Sequence, residues 1–119
     1  MAGFKIDRLS SDIQFQLSDI VRNLKDPRVA SAMPTVMRVD VTNDLSYATV
    51  YISALQGFEA AKEAVKGLKN AAGYVRRELG SRVKMRKVPE LRFIADNSAE
   101  RSAQISRIID GFKKDEQDD

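Results

Sequence analysis

Ile6, Leu9, Ile13, Leu17, Ile20 and Leu24 recur at spacings of 3, 4, 4, 3 and 4. That is one apolar stripe of an amphipathic helix of about five turns. Pro27 disfavours helical geometry at the residue before it, so the helix is expected to stop near Asp26. Asp26-Pro27-Arg28-Val29 and Met33-Pro34 then bracket a predicted loop. Two strands follow. Met37, Val39 and Val41 alternate with Arg38, Asp40 and Thr42, and Ala48, Val50, Ile52 and Ala54 alternate with Tyr47, Thr49, Tyr51 and Ser53. Each has an apolar face at period two. Asn43-Asp44-Leu45-Ser46 has turn chemistry, so the pair reads as an antiparallel hairpin.

Gly57 opens a second helical region, with Phe58, Ala61, Val65, Leu68, Ala72, Val75 and Leu79 spaced 3, 4, 3, 4, 3 and 4. Periodicity alone gives one helix. The small-residue patch Asn70-Ala71-Ala72-Gly73 in its middle argues for two, because glycine weakens a helix interior and permits a bend. A kink is therefore predicted near Ala71–Gly73. Gly80 is expected to end the second helix, and a basic connection leads through Pro89 to a third strand over Leu91-Arg92-Phe93-Ile94-Ala95. Ile105, Ile108, Ile109 and Phe112 suggest a last helix over residues 100–112, followed by a disordered acidic tail at 113–119. A three-stranded sheet with one apolar face must cover that face with helices, which gives a two-layer α+β domain over residues 1–112.

The 119 residues contain no Cys and no His. Disulfides, thiolate nucleophiles, Cys and His metal sites and His general bases are thereby excluded. There is no GxxxxGK[ST] phosphate loop and no GxGxxG. Asp40, Asp44 and Asp96 could in principle hold Mg²⁺ for a nuclease, but no two form a compelling cluster, and Asp44 at a hairpin turn and Asp96 at a strand end are ordinary turn chemistry. No catalytic residue, metal or cofactor is predicted. No apolar run reaches the roughly 18–20 residues of a membrane span, and the N-terminus lacks an apolar signal core. A cytoplasmic, membrane-free protein is expected.

Charge is unevenly distributed along the chain. The net is +3, yet residues 62–92 hold 10 basic and 3 acidic groups, while the rest of the chain holds 10 basic and 14 acidic. Such asymmetry suggests a polyanionic partner. Lys62, Lys66, Lys69, Gly73 and Arg76 are spaced 4, 3, 4 and 3, a stripe about 100° from the apolar one. Glycine in a basic row lets a phosphate approach the backbone, and the first amides of a helix starting at a kink lack intrahelical partners. Asn70, Ala71, Ala72 and Gly73, with these cations and Arg77, describe a clamp on a nucleic-acid backbone. Arg82, Lys84, Arg86, Lys87 and Arg92 extend the positive segment. The competing reading is that Gly73 merely allows close packing and the lysines are solvated. Tyr47 and Tyr51, on the solvent side of the second strand, suit base stacking or simple strand formation.

These residues resemble the ribosome-binding factor A family over about Phe4 to Gly111. The resemblance rests on Asp26-Pro27-Arg28-Val29, the run from Asp44 to Ile52, and Ala71-Ala72-Gly73-Tyr74-Val75-Arg76-Arg77-Glu78-Leu79-Gly80. Val88-Pro89-Glu90-Leu91-Arg92-Phe93 and Asp96-Asn97-Ser98 continue it. It implies a type II KH-like fold, with an Ala-x-Gly kink, here Ala71-Ala72-Gly73, in place of the GxxG loop. It also implies a non-enzymatic factor that binds free or immature 30S subunits and 16S rRNA. Such a factor supports late maturation and 5′-end processing, especially in the cold, and is released with help from a ribosome-associated GTPase. A monomer is expected. Thr42-Asn43-Asp44 and Ala95 depart from the family's usual pattern, but neither touches the kink or the basic block. The alternative is a protein-interaction module that docks on a ribosomal protein or RNA-processing enzyme through the hairpin edge.

Overall fold

The computed structural model describes residues 2–98. The predicted last helix over 100–112 and the tail at 113–119 lie outside the described residues. The first helix, α1 (Ala2–Arg22), ends sooner than its stripe suggested but buries Ile13, Leu17 and Ile20 as expected, and Val21 besides.

The loop predicted after it contains a short helix, α2 (Pro27–Ala30). Asp26 is its N-cap, accepting the Arg28 amide at 2.8 Å, and Pro27 occupies the first turn, where its missing N–H costs nothing. Val29 is buried, facing α3 (Phe58–Asn70). The motif that looked like a loop is therefore a cap followed by one helical turn.

The hairpin is β1 (Pro34–Val41) and β2 (Tyr47–Ala54), antiparallel as predicted. Its turn is held by side chains. Thr42 Oγ1 accepts the amides of Ser46 and Tyr47, each at 3.1 Å, and Asp44 accepts the Ser46 amide at 3.0 Å. This network holds Leu45 at a φ of 60° without a glycine. One expectation fails in β1. Alternation predicts Met37 on the core face with Val39, but Met37 is 47% exposed and Val36 is buried instead. The register steps from Val36↔Ile52 to Arg38↔Tyr51, so Met37 is the extra residue of a β-bulge. Gln14 Nε2 of α1 donates to the Val36 and Met37 carbonyls at 3.4 and 3.3 Å there.

β3 (Glu90–Ala95) pairs in parallel with β2, giving the sheet order β1-β2-β3. The crossover between them is α3 and α4 (Ala72–Arg82), two helices as predicted. α4 runs past Gly80, where the sequence had suggested its end. Val36, Val39, Ala48, Val50, Ile52, Leu91 and Phe93 form the buried sheet face. α1 packs on β1, and α3 on β2 and β3, while α4 turns onto α1. The result is a two-layer α+β fold in helix–strand–strand–helix–kink–helix–strand order, with α2 added.

Candidate nucleic-acid interface

The break between α3 and α4 falls at Ala71, whose φ of −93° and ψ of 7° leave the helical region. Hydrogen bonds flank it on both sides. The Ala71 amide donates to the Gly67 carbonyl at 3.0 Å, and the Val75 amide to the Ala71 carbonyl at 2.9 Å. The redirection has a packing cause. Ala61, Ala64, Val65 and Leu68 bury against the sheet, whereas Val75 and Leu79 must reach α1 and β3. Gly73 sits in the first turn of α4, where backbone amides lack intrahelical acceptors and the helix dipole is positive.

A methyl group built on Gly73 would meet nothing within 4 Å. Its glycine therefore serves no packing need, and the close-packing reading does not apply to it. Ala71 and Ala72 are half-buried behind it, and Asn70 is exposed beside it. Tyr74 is 48% exposed in the same turn. No sequence signal singles out this ring, because it lies off both the apolar and the basic stripe of the helical run.

The cations divide by what already holds them. Lys62 pairs with Glu59 at 2.9 Å and lies 5.1 Å from the Phe58 ring centroid; Lys66 pairs with Glu63 at 2.9 Å. Arg76 donates to the Val88 carbonyl at 2.7 Å, holding the end of the following loop beside α4. Arg82 donates to Asp19 of α1 at 2.7 Å and lies 3.6 Å from Glu78. The Asp19 hydrogen bond, partly opposed by desolvation, raises the guanidinium's pKa. Arg82 would have to leave Asp19 to reach a phosphate. No local pattern announces that tie, because its partners lie 63 positions apart.

Lys69, Arg77, Lys84, Arg86 and Lys87 are exposed and have no ion-pair partner among the described residues. Lys69 and Arg77 flank Gly73, one on each side of the break, and the other three follow in the loop after α4. Arg92 is not with them. It lies on the sheet face away from the helices, its guanidinium 3.7 Å from the Tyr47 ring centroid.

Among the described residues no three His, Cys, Asp or Glu side chains come together to hold a metal. The shifted carboxylates are turn and cap groups. The Arg28 side chain, chiefly, holds Asp26 below the usual range, and Ser46 does the same for Asp44. Among the described residues no helix is long and apolar enough to cross a membrane. The arrangement offers open space at Gly73, a helix N-terminus and cations without ion-pair partners among the described residues, which is chemistry for holding a polyanion.

Comparison with known proteins gives a consistent result. The family model described as ribosome-binding factor A matches residues 5–109. The ribosome-binding factor A of Acetivibrio thermocellus is 46% identical over 106 residues, 88% of this chain and 85% of that protein. The crystal structure of ribosome-binding factor A from Thermus thermophilus superposes with a TM-score of 0.67 at 29% identity, covering 76% of this chain and 93% of the other. A homology model of the Thermus thermophilus factor, fitted into the cryo-electron-microscopy map of a 30S complex, gives a TM-score of 0.61. It is 30% identical, over 73% of this chain and 90% of that one.

Proposed function

Because the chain belongs to the ribosome-binding factor A family, we propose that it is a non-enzymatic assembly factor that binds free or immature 30S subunits through 16S rRNA. It acts in late maturation and 5′-end processing, as a cytoplasmic monomer, and leaves the subunit with the help of a ribosome-associated GTPase. The relative fitted into a 30S complex supports the choice of subunit.

The observation that carries the reading is the open backbone at Gly73, with the unpaired Lys69 and Arg77 on either side. A phosphate seated there meets amide donors, the positive end of α4 and cations at once. Asn70, Ala71 and Ala72 form its floor. Lys84, Arg86 and Lys87 continue the contact, while Lys62, Lys66, Arg76 and Arg82 add charge from positions that the fold already holds. Docking through the hairpin edge is less well supported, because Gln14 already occupies two β1 carbonyls at the bulge.

Sedimentation tests the proposal. The protein is expected to travel with free small subunits rather than with full ribosomes. Lys69→Ala with Arg77→Ala should move it toward the top of the gradient without changing its circular dichroism. Undiminished co-sedimentation of that variant would place the contact elsewhere.

A further inference from the structure

The sheet face turned away from the helices carries two arginine–tyrosine stacks. Arg38 lies over the Tyr51 ring, 4.5 Å from its centroid, and Arg92 over the Tyr47 ring at 3.7 Å. Both rings belong to β2 and are half-buried, and both guanidinium groups are exposed. The stacks arise from register. Arg38 is directly opposite Tyr51, and Arg92 is opposite Thr49, one diagonal step from Tyr47. Thr49 lies between the two rings on β2, opposite Asp40 on one side and Arg92 on the other.

We propose that this face is a second nucleic-acid surface, a platform that stacks two unpaired bases of single-stranded RNA, one on each arginine–tyrosine pair. Unstacked bases settle on aromatic rings and on guanidinium planes alike. A guanidinium held over a tyrosine ring leaves its outer side ordered toward solvent. Tyr47 and Tyr51 are four residues apart along a strand, about 13 Å, a distance that two splayed bases can span. Thr49, midway between them, offers a hydroxyl to a base edge or a ribose.

Charge separates this surface from the clamp. Arg38 is paired with Asp40 at 3.1 Å, and Glu90 stands opposite Tyr47, so the face holds as many acids as arginines. It is suited to bases rather than to phosphates, and its contribution should depend little on salt. The same balance disfavours a strongly charged protein partner. Arg76 of α4 holds the Val88 carbonyl just before β3, and β3 bears Arg92 on its outer side. A strand leaving the clamp can therefore follow β3 to the platform. The inference rests on the proposed binding of rRNA, and it assigns that RNA a second contact.

The test uses the full chain, fluorescence anisotropy and two labelled probes: hexauridylate, and a ribose-phosphate strand of equal length without bases. Hexauridylate should bind the parent protein at least about a hundredfold more tightly than the abasic strand. Tyr47→Val with Tyr51→Val keeps good strand formers but removes both rings. It should cost about a hundredfold in hexauridylate affinity, leave the slope against salt unchanged and leave the abasic strand unaffected. Tyr47→Phe with Tyr51→Phe should bind as the parent does.

Equal binding of the two probes by the parent overturns the proposal, and that comparison needs no variant to fold. So does a valine variant, folded by circular dichroism, that retains full hexauridylate affinity. If that variant loses free small subunits but not hexauridylate, the face meets a protein and the proposal again falls. Lys69→Ala with Arg77→Ala serves as the reference. It should weaken both probes alike and flatten the salt slope, so failure of the clamp is read separately from failure of the platform.

Discussion

Gly67 and Gly73 lie six positions apart on one helical run and do opposite things. A methyl group on Gly67 would sit 2.8 Å from Val29 Cγ2 and 3.2 Å from the Asp26 carboxylate. Val29 is fully buried and β-branched, so it cannot swing aside. Gly67 is what lets α2 lie against α3. The same methyl group on Gly73 would touch nothing. One glycine is required by the fold, whereas the fold makes no such demand of the other. A residue that packing leaves unexplained, flanked by unpaired cations at a helix start, is where the proposed rRNA contact is centred. The two glycines look alike in sequence, and only their neighbours separate them.

The largest effect should come from the unpaired cations on the open side. Replacing Lys69, Arg77, Lys84 and Arg86 with Ala together should flatten the slope of log affinity against log salt by about three, at roughly 0.7–0.9 per lost phosphate contact. Thermal stability should hold, because none of the four has an ion-pair partner to lose among the described residues. An unchanged slope would detach the clamp from its charges.

Gly67→Ala sharpens the packed side. Forcing a methyl group against Val29 should cost about 1–3 kcal/mol of stability. Affinity per folded molecule should stay at the parent value. If the variant is as stable as the parent, α2 yields easily and the contrast between the glycines weakens.

A smaller effect is expected at Arg82. Its pairing with Asp19 ties α4 to α1. Arg82→Ala should lower the melting temperature slightly and barely change the salt slope, whereas Arg77→Ala should do the reverse. A salt slope that responds more to Arg82 than to Arg77 would mean that Arg82 leaves Asp19 when RNA binds.

The smallest effect concerns acid. Asp26 and Asp44 both titrate below their ordinary value of 3.8. A carboxyl group whose pKa is lowered by folding contributes stability that is full above the unfolded value and lost as pH falls through the folded one. The melting temperature should therefore drop below about pH 4, and Asp26→Asn with Asp44→Asn should shrink that drop. A fall in stability that begins near neutrality would implicate other groups.

Periodicity carried most of the architecture. The α1 stripe, the alternation in β2 and the unbroken phase through Leu79 were legible because each element buries one face, and the small residues at 70–73 located the break. What stayed hidden depended on neighbours distant in sequence. The bulge at Met37 is set by pairing with β2, and Gln14 of α1 occupies its carbonyls. Asp26-Pro27 read as a loop because a one-turn helix is too short to show a period. In the candidate site the positions were legible and their commitments were not. Arg82 and Arg76 are as basic in sequence as Arg77, yet Asp19 and the Val88 carbonyl hold them. Arg92 sits in the basic segment, but strand alternation turns it onto the opposite face.

The most direct measurement places Gly73→Val beside the parent, with stability and affinity for free small subunits determined on the same preparations. The side chain would enter space that is empty in the fold and that the proposed contact gives to a phosphate. The melting temperature should stay close to the parent's while the affinity falls at least tenfold. A Gly73→Val protein that binds small subunits as tightly as the parent, with the same salt slope, would contradict it.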